Sequence, residues 1–209
     1  MTYKTLLDLT ANRLEETIIE CDGSLKIDTE DYGWENTRYI SDLFRVAHIE
    51  RYSDKNLEVL HFTCFPTITS GAPIFGFDIV STDKRPLAAF LDCSPTIEDW
   101  TYTTNYKFST PYKLPEWANN IFSKDAIAIV PNENELNVIC DCAIDAFNEY
   151  IEMLSESSSN CLATTVIEKQ NYYCDQQQKN ERTYNVLKAK LGEDRAKHFM
   201  QTILFPKLQ

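Results

Sequence analysis

Apolar residues between Leu6 and about Ile19 recur at helical spacing and stop at Asp22-Gly23, so the chain is expected to open with a helix. From Phe44 onward the period changes to two. RVAHIERY (45–52), LEVLHFTCF (57–65), IFGFDIV (74–80) and PLAAFLDCS (86–94) read as strands, joined by SDKN, TITSGAP and STDKR. Short connections between four such runs predict an antiparallel meander. From Asp99 to about Val130 the chain is aromatic, proline-punctuated and loop-like. Helical spacing returns over 134–154, with Ile139, Ala143, Ile144, Phe147, Ile151 and Leu154 on one face. SESSSN (155–160) predicts a flexible break, and 170–205 reads as two helices divided near Gly192. The expected architecture is a single domain over 1–209, with helices around an antiparallel sheet.

Parity along the strands brings polar residues together. His48 and Glu50 share a face, and Asp78 shares one with Gly76 and Val80. If SDKN is a four-residue loop, Tyr52 pairs with Leu57, Glu50 faces Val59 and His48 faces His61. Gly76 on the same side would leave a bare floor for something flat. A lone strand His or Asp is more often hydrogen-bonded structure than catalyst. Four ionisable groups on one buried face without a Lys or Arg partner are costly unless they share protons, which raises carboxyl pKa values towards neutrality. Proton transfer is the favoured chemistry. Two His and two carboxylates could instead ligate iron or zinc, but no helical H-x-x-x-H or E-x-x-H spacing supports a metal.

Charge and composition narrow the field. A net charge of −12 disfavours nucleic acid, which requires clustered Lys and Arg. No apolar run approaches the roughly 18 residues that cross a bilayer, and the first twenty residues lack the plan of a secretory signal, so a cytoplasmic protein off the membrane is expected. Seven cysteines without C-x-x-C spacing read as reduced thiols, with Cys140 and Cys142 packing in a helix rather than holding metal. GAPIFGFD lacks the helix that must follow a dinucleotide fingerprint, so no bound nucleotide or flavin is expected.

VLHFTCFP, APIFGFDIV, AAFLDCSPT and YCDQQQKNERTYNVL with its terminal ILF, in this order, resemble the ferredoxin-dependent bilin reductases, and most of all the branch that forms phycocyanobilin. The likeness covers roughly 41–100 and 170–206. It implies an α/β/α sandwich, a central antiparallel β-sheet flanked by helices on both faces, with biliverdin IXα between the sheet and the C-terminal helices. It implies four-electron reduction to a phycobilin by a monomer, with reduced ferredoxin as electron donor, protons from the protein, and no bound metal or flavin. By motif position Asp78 is the family's central aspartate, His61 its histidine partner, and Glu50 the acid serving D-ring vinyl reduction. His48 stands two residues before that acid, and Asn180 is a helix residue near the pigment. Glu181 and Arg182 follow where an Asp and a Lys are expected, and the Glu50–His61 hairpin is one residue shorter than the family's. Lys169, Lys179, Arg182, Lys188, Lys190, Arg195 and Lys197 are candidates for a basic rim that receives acidic ferredoxin. Two alternatives stay open: phycoerythrobilin as product, and a non-catalytic bilin-binding or chromophore-transfer protein.

Overall fold

The computed structural model describes residues 2–156 and 161–209. Helix α1 (Tyr3–Ile19) is capped by Thr2, whose hydroxyl accepts from Thr5 N at 3.2 Å, and buries Leu7, Ala11, Leu14 and Ile18. Strands β1 (Leu25–Ile27), β2 (Glu35–Ile40), β3 (Phe44–Ser53), β4 (Glu58–Pro66), β5 (Ile74–Ser81), β6 (Pro86–Ser94) and β7 (Ile127–Ile129) follow, with the short helix α2 (Glu116–Asn119) before β7. Among the described residues these strands form one antiparallel sheet in sequence order. The expected meander is its centre. The aromatic loop region thus contains both α2 and an edge strand, which its prolines concealed.

The register of the first hairpin differs from the expected one by two residues. Ser53 pairs with Glu58, which sets Glu50 opposite His61 and His48 opposite Thr63. The cause is Asp54. Its carboxylate accepts from the amides of Asn56 and Leu57 at 2.7 and 2.9 Å while Asp54 N donates to Leu57 O, closing the turn around Lys55-Asn56 instead of all of SDKN. A shift of two preserves parity, so the polar residues keep their shared face.

Helix α3 (Glu133–Glu156) and α1 cover one side of the sheet, where Ile49, Leu60, Phe62, Phe75, Phe77 and Ile79 are buried. Phe147 of α3 meets Phe62 edge-on at 4.7 Å and Phe75 at 5.2 Å, and the Tyr150 hydroxyl donates to Pro73 O at 2.8 Å. Cys140 and Cys142 are free thiols within this layer. Residues 155–156 of the expected break are helical, and 157–160 lie outside the described residues.

The second face carries α4 (Ala163–Gln177), α5 (Glu181–Leu191), α6 (Glu193–His198) and a π-helical turn (Phe199–Leu204). The break at Gly192 is present, with φ +79°. A second break falls at 178–180, where Asn180 becomes the N-cap of α5 by accepting from Thr183 N at 3.3 Å. The chain is therefore the expected helix–sheet–helix sandwich, and no described helix is long and apolar enough to cross a membrane.

Phe147→Ala should lower stability by about 3–5 kcal/mol, because it removes the ring that joins α3 to two strands. Urea unfolding followed by circular dichroism checks this, and a midpoint equal to wild type would mean that α3 is held elsewhere.

Candidate active site

Antiparallel register arranges the second face in two ranks running across the strands. One rank reads Asn36, Glu50, His61, Asp78, Phe90; the rank beside it reads Arg38, His48, Thr63, Gly76, Asp92. Glu50, His61, Asp78 and Phe90 line a cavity of about 800 Å³, within the usual range of small-molecule sites. Its opposite wall comes from α5, Leu204 and Phe205, and Trp117, Ala118 and Phe122, in and just after α2, add to the lining.

His61 Nδ1 lies 2.5 Å from Asp78 Oδ1, and its Nε2 lies 2.7 Å from Thr63 Oγ1. Burial works against a charge on His61, yet the adjoining Asp78 carboxylate, with Glu50 behind it, outweighs burial and raises the imidazole pKa. Burial also pushes the Glu50 carboxyl up to about 7; the His61 charge opposes this and Asp78 reinforces it. Both His61 and Glu50 are buried, whereas the Asp78 side chain is 34% exposed, against 9% for His61. Asp78 is thus the member of the pair open to the cavity.

His48 shares their face but does not line the cavity. Its Nε2 donates to Asn36 Oδ1, and its ring lies 5.7 Å from that of His61 and 6.5 Å from that of Phe199. Burial first, then His61 and Arg38, hold its pKa well below the ordinary value, so it is neutral. Gly76 is not a bare floor either. The Tyr173 hydroxyl, brought by α4, sits where a Cβ at 76 would meet it at 3.7 Å. Tyr173 accepts in turn from Gln177 Nε2 at 2.9 Å.

Asn180, Glu181 and Arg182 all line the cavity from the start of α5, and Arg182 bonds to the Tyr112 hydroxyl. The shorter hairpin leaves Glu50 on the cavity face. Of the basic candidates, Lys179, Arg182 and Lys190 line the cavity together with Lys113. Lys188 and Lys197 pair with Glu193, Arg195 donates to Asp31 O, and Lys190 also binds Asp54. Sequence reasoning missed Lys113, Thr63 and Tyr173. The i+2 parity from His61 points to Thr63, whereas nothing local marks Tyr173 or Lys113.

Comparison with known proteins follows this geometry. The model of the family described as ferredoxin-dependent bilin reductase matches residues 2–206. Phycocyanobilin:ferredoxin oxidoreductase from a Synechococcus sp. is 32% identical over 195 residues, covering 86% of this chain and 78% of the relative. The enzyme of the same name from Prochlorococcus marinus is 32% identical over 194 residues with the same coverage. Among solved structures, PcyX is 25% identical with a TM-score of 0.71, covering 97% of this chain and 99% of that one. Phytochromobilin synthase from tomato, in complex with biliverdin, has the same fold at 19% identity and a TM-score of 0.72, covering 98% and 83%. The sandwich and its cavity are thus those of an oxidoreductase family, and the chain belongs to the ferredoxin-dependent bilin reductases.

The raised Glu50 value links this site to stability. Because the folded value of about 7 exceeds the ordinary 4.5, the stability associated with neutral Glu50 is full below pH 4.5 and is lost as pH rises through about 7. Glu50→Gln removes that loss. Its stability should gain on wild type progressively between pH 4.5 and 7 and level off above, by up to about 3 kcal/mol, read as a growing difference in melting temperature. Parallel melting curves for the two proteins across this range would contradict the assignment.

Proposed function

We propose that the cavity binds biliverdin IXα and that the protein reduces it by four electrons to phycocyanobilin. Reduced ferredoxin supplies electrons one at a time, and Asp78 and Glu50 supply protons; no resident metal or flavin enters the scheme. The observation that carries this reading is the row Glu50–His61–Asp78 on the cavity wall, which offers two carboxyl donors at separate places along one ligand surface. Reduction at two sites of a long tetrapyrrole needs two such donors.

Asp78 acts at the pigment's central pyrroles and His61 reloads it, since both His61 nitrogens are occupied by protein groups while Asp78 keeps an open side. Glu50, with a pKa near 7, remains partly protonated at neutral pH, the condition for an effective general acid, and serves the D-ring vinyl group. Asn180 and His48 support the pocket from either side, Asn180 at its helical wall and His48 beside the His61 ring. Lys113, Lys179, Arg182 and Lys190 offer partners for the two propionates, and they soften the repulsion that an acidic chain presents to an acidic ferredoxin. The phycocyanobilin-forming relatives at 32% identity, and the biliverdin held by a protein of the same fold, support the choice of product and substrate.

Anaerobic incubation with biliverdin, ferredoxin and an electron supply tests the whole reading. The wild-type product should co-elute with phycocyanobilin; phycoerythrobilin would instead reassign Glu50, and bound but unchanged pigment would reject reduction. Asp78→Asn should keep biliverdin bound while turnover falls by about 10²–10⁴-fold and a one-electron-reduced radical accumulates, visible by electron paramagnetic resonance. Full activity in that variant would make Asp78 structural. Glu50→Gln should stop or divert reduction at the D-ring vinyl while other reduction continues, and an unchanged product profile would remove Glu50 from the mechanism.

A further inference from the structure

His61 touches two protein groups, and only Asp78 has been given a part in the chemistry. The other is Thr63. It is fully buried, it follows His61 by two residues on β4, and its hydroxyl lies 2.7 Å from His61 Nε2. Its neighbours in the rank do not compete for that hydroxyl. Gly76 on one side has no side chain, and His48 on the other has its Nε2 engaged by Asn36. Around His61 stand Asp78 from β5, Glu50 and His48 from β3, and the Phe205 ring at 6.0 Å, while the Tyr173 hydroxyl from α4 stands over Gly76 on the neighbouring strand. Thr63 is the partner the structure gives to Nε2.

When the His61–Asp78 pair holds two protons, one lies between Nδ1 and the carboxylate and the other is on Nε2, where it needs an acceptor. The proton that passes through Asp78 to a reduced ligand is the Nδ1 one, because Asp78 meets that nitrogen. The proton left behind is on Nε2, where the Thr63 hydroxyl oxygen accepts it before and after delivery. Without that acceptor a buried N–H would stand unpaired, and the cost is larger when the ring is charged.

We propose that Thr63 is a positioning residue for proton delivery, its hydroxyl oxygen accepting from His61 Nε2–H in both the two-proton and the one-proton state, so that the tautomer is fixed and the proton that moves is the one facing Asp78. The proton lost to the ligand is replaced from solvent by way of the cavity, and Thr63 itself gives up none. The role in turnover rests on the reading of Asp78 as proton donor, but the effect on His61 does not.

Two measurements separate these. Thr63→Val keeps the shape and removes the hydroxyl, Thr63→Ala removes it without a branched side chain beside the ring, and Thr63→Ser retains it. In ligand-free protein, ¹⁵N nuclear magnetic resonance of the His61 ring across a pH series should show about tenfold weaker proton affinity in the Val and Ala variants. Thr63→Ser should stay within about twofold of wild type. In anaerobic turnover the alkaline limb of the rate profile should move to lower pH in Val and Ala and return in Ser, with biliverdin binding unchanged. An unshifted His61 titration in the variants without the hydroxyl overturns the proposal, and so does a Ser variant that behaves like Val. A rate lowered equally at every pH, with no displacement of the limb, overturns it as well. If the His61 titration shifts as expected in a protein that never reduces biliverdin, the reading of the site fails and the assignment of Thr63 stands.

Discussion

An imidazole and a carboxylate from neighbouring strands can hold a proton between them only while the strands stay in register. At 2.5 Å the His61–Asp78 contact leaves no room for slippage, and the same register places Glu50 beside it and Thr63 beneath it. A slip of one residue would turn all of them to the opposite face, against the rings of Phe147 and Tyr150. The apolar layer of α1 and α3 therefore does more than exclude water. By accepting Leu60, Phe62, Phe77 and Ile79 in alternation, it fixes which side the acids occupy.

The polar face carries a corresponding cost. Glu50 and His61 are both buried, and each perturbs the other's proton affinity, so the row behaves as one titrating unit. Behind it the neighbouring rank is kept neutral where it can be: His48 is held uncharged by burial, Thr63 is a hydroxyl, and Gly76 carries the Tyr173 phenol over it. Asp92, at the end of that rank, is fastened by Ser94 at 2.5 Å and by the amide of Ser123 at 3.1 Å. Ionisable groups in that rank other than His48 thus stand only at its ends, Arg38 and Asp92.

Much of this was legible in the sequence, because parity is a property of backbone geometry. The alternation in LEVLHFTCF and IFGFDIV was enough to put His61 and Asp78 on one face, and the family motifs pointed to Asn180 and Glu50. What could not be read was set by side chains acting at a distance. The carboxylate of Asp54 tightened the first turn and moved the register by two, turning an expected His48–His61 pair into Glu50–His61. The phenol of Tyr173, almost a hundred residues from Gly76, filled the space that the glycine opened. Strands β1 and β7 were missed because three residues are too few to show a period, and β2 because ENTRYI mixes polar and apolar positions as an exposed segment would.

The two long walls of the cavity are not equally stiff. On the sheet side each acid is carried by a strand hydrogen-bonded on both edges and backed by fully buried side chains. On the other side α5 buries Leu187, starts at the Asn180 cap, ends at Gly192, and is tied to the hairpin tip by Lys190 on Asp54. That ion pair also draws on the Tyr52 hydroxyl, which donates to the same carboxylate at 2.7 Å. Compliance therefore resides in a helix secured at its ends and lightly along its length. A displacement of α5 would reshape the chamber while leaving the distances among Glu50, His61 and Asp78 unchanged. Compliance and rigidity thus lie on opposite sides of one chamber.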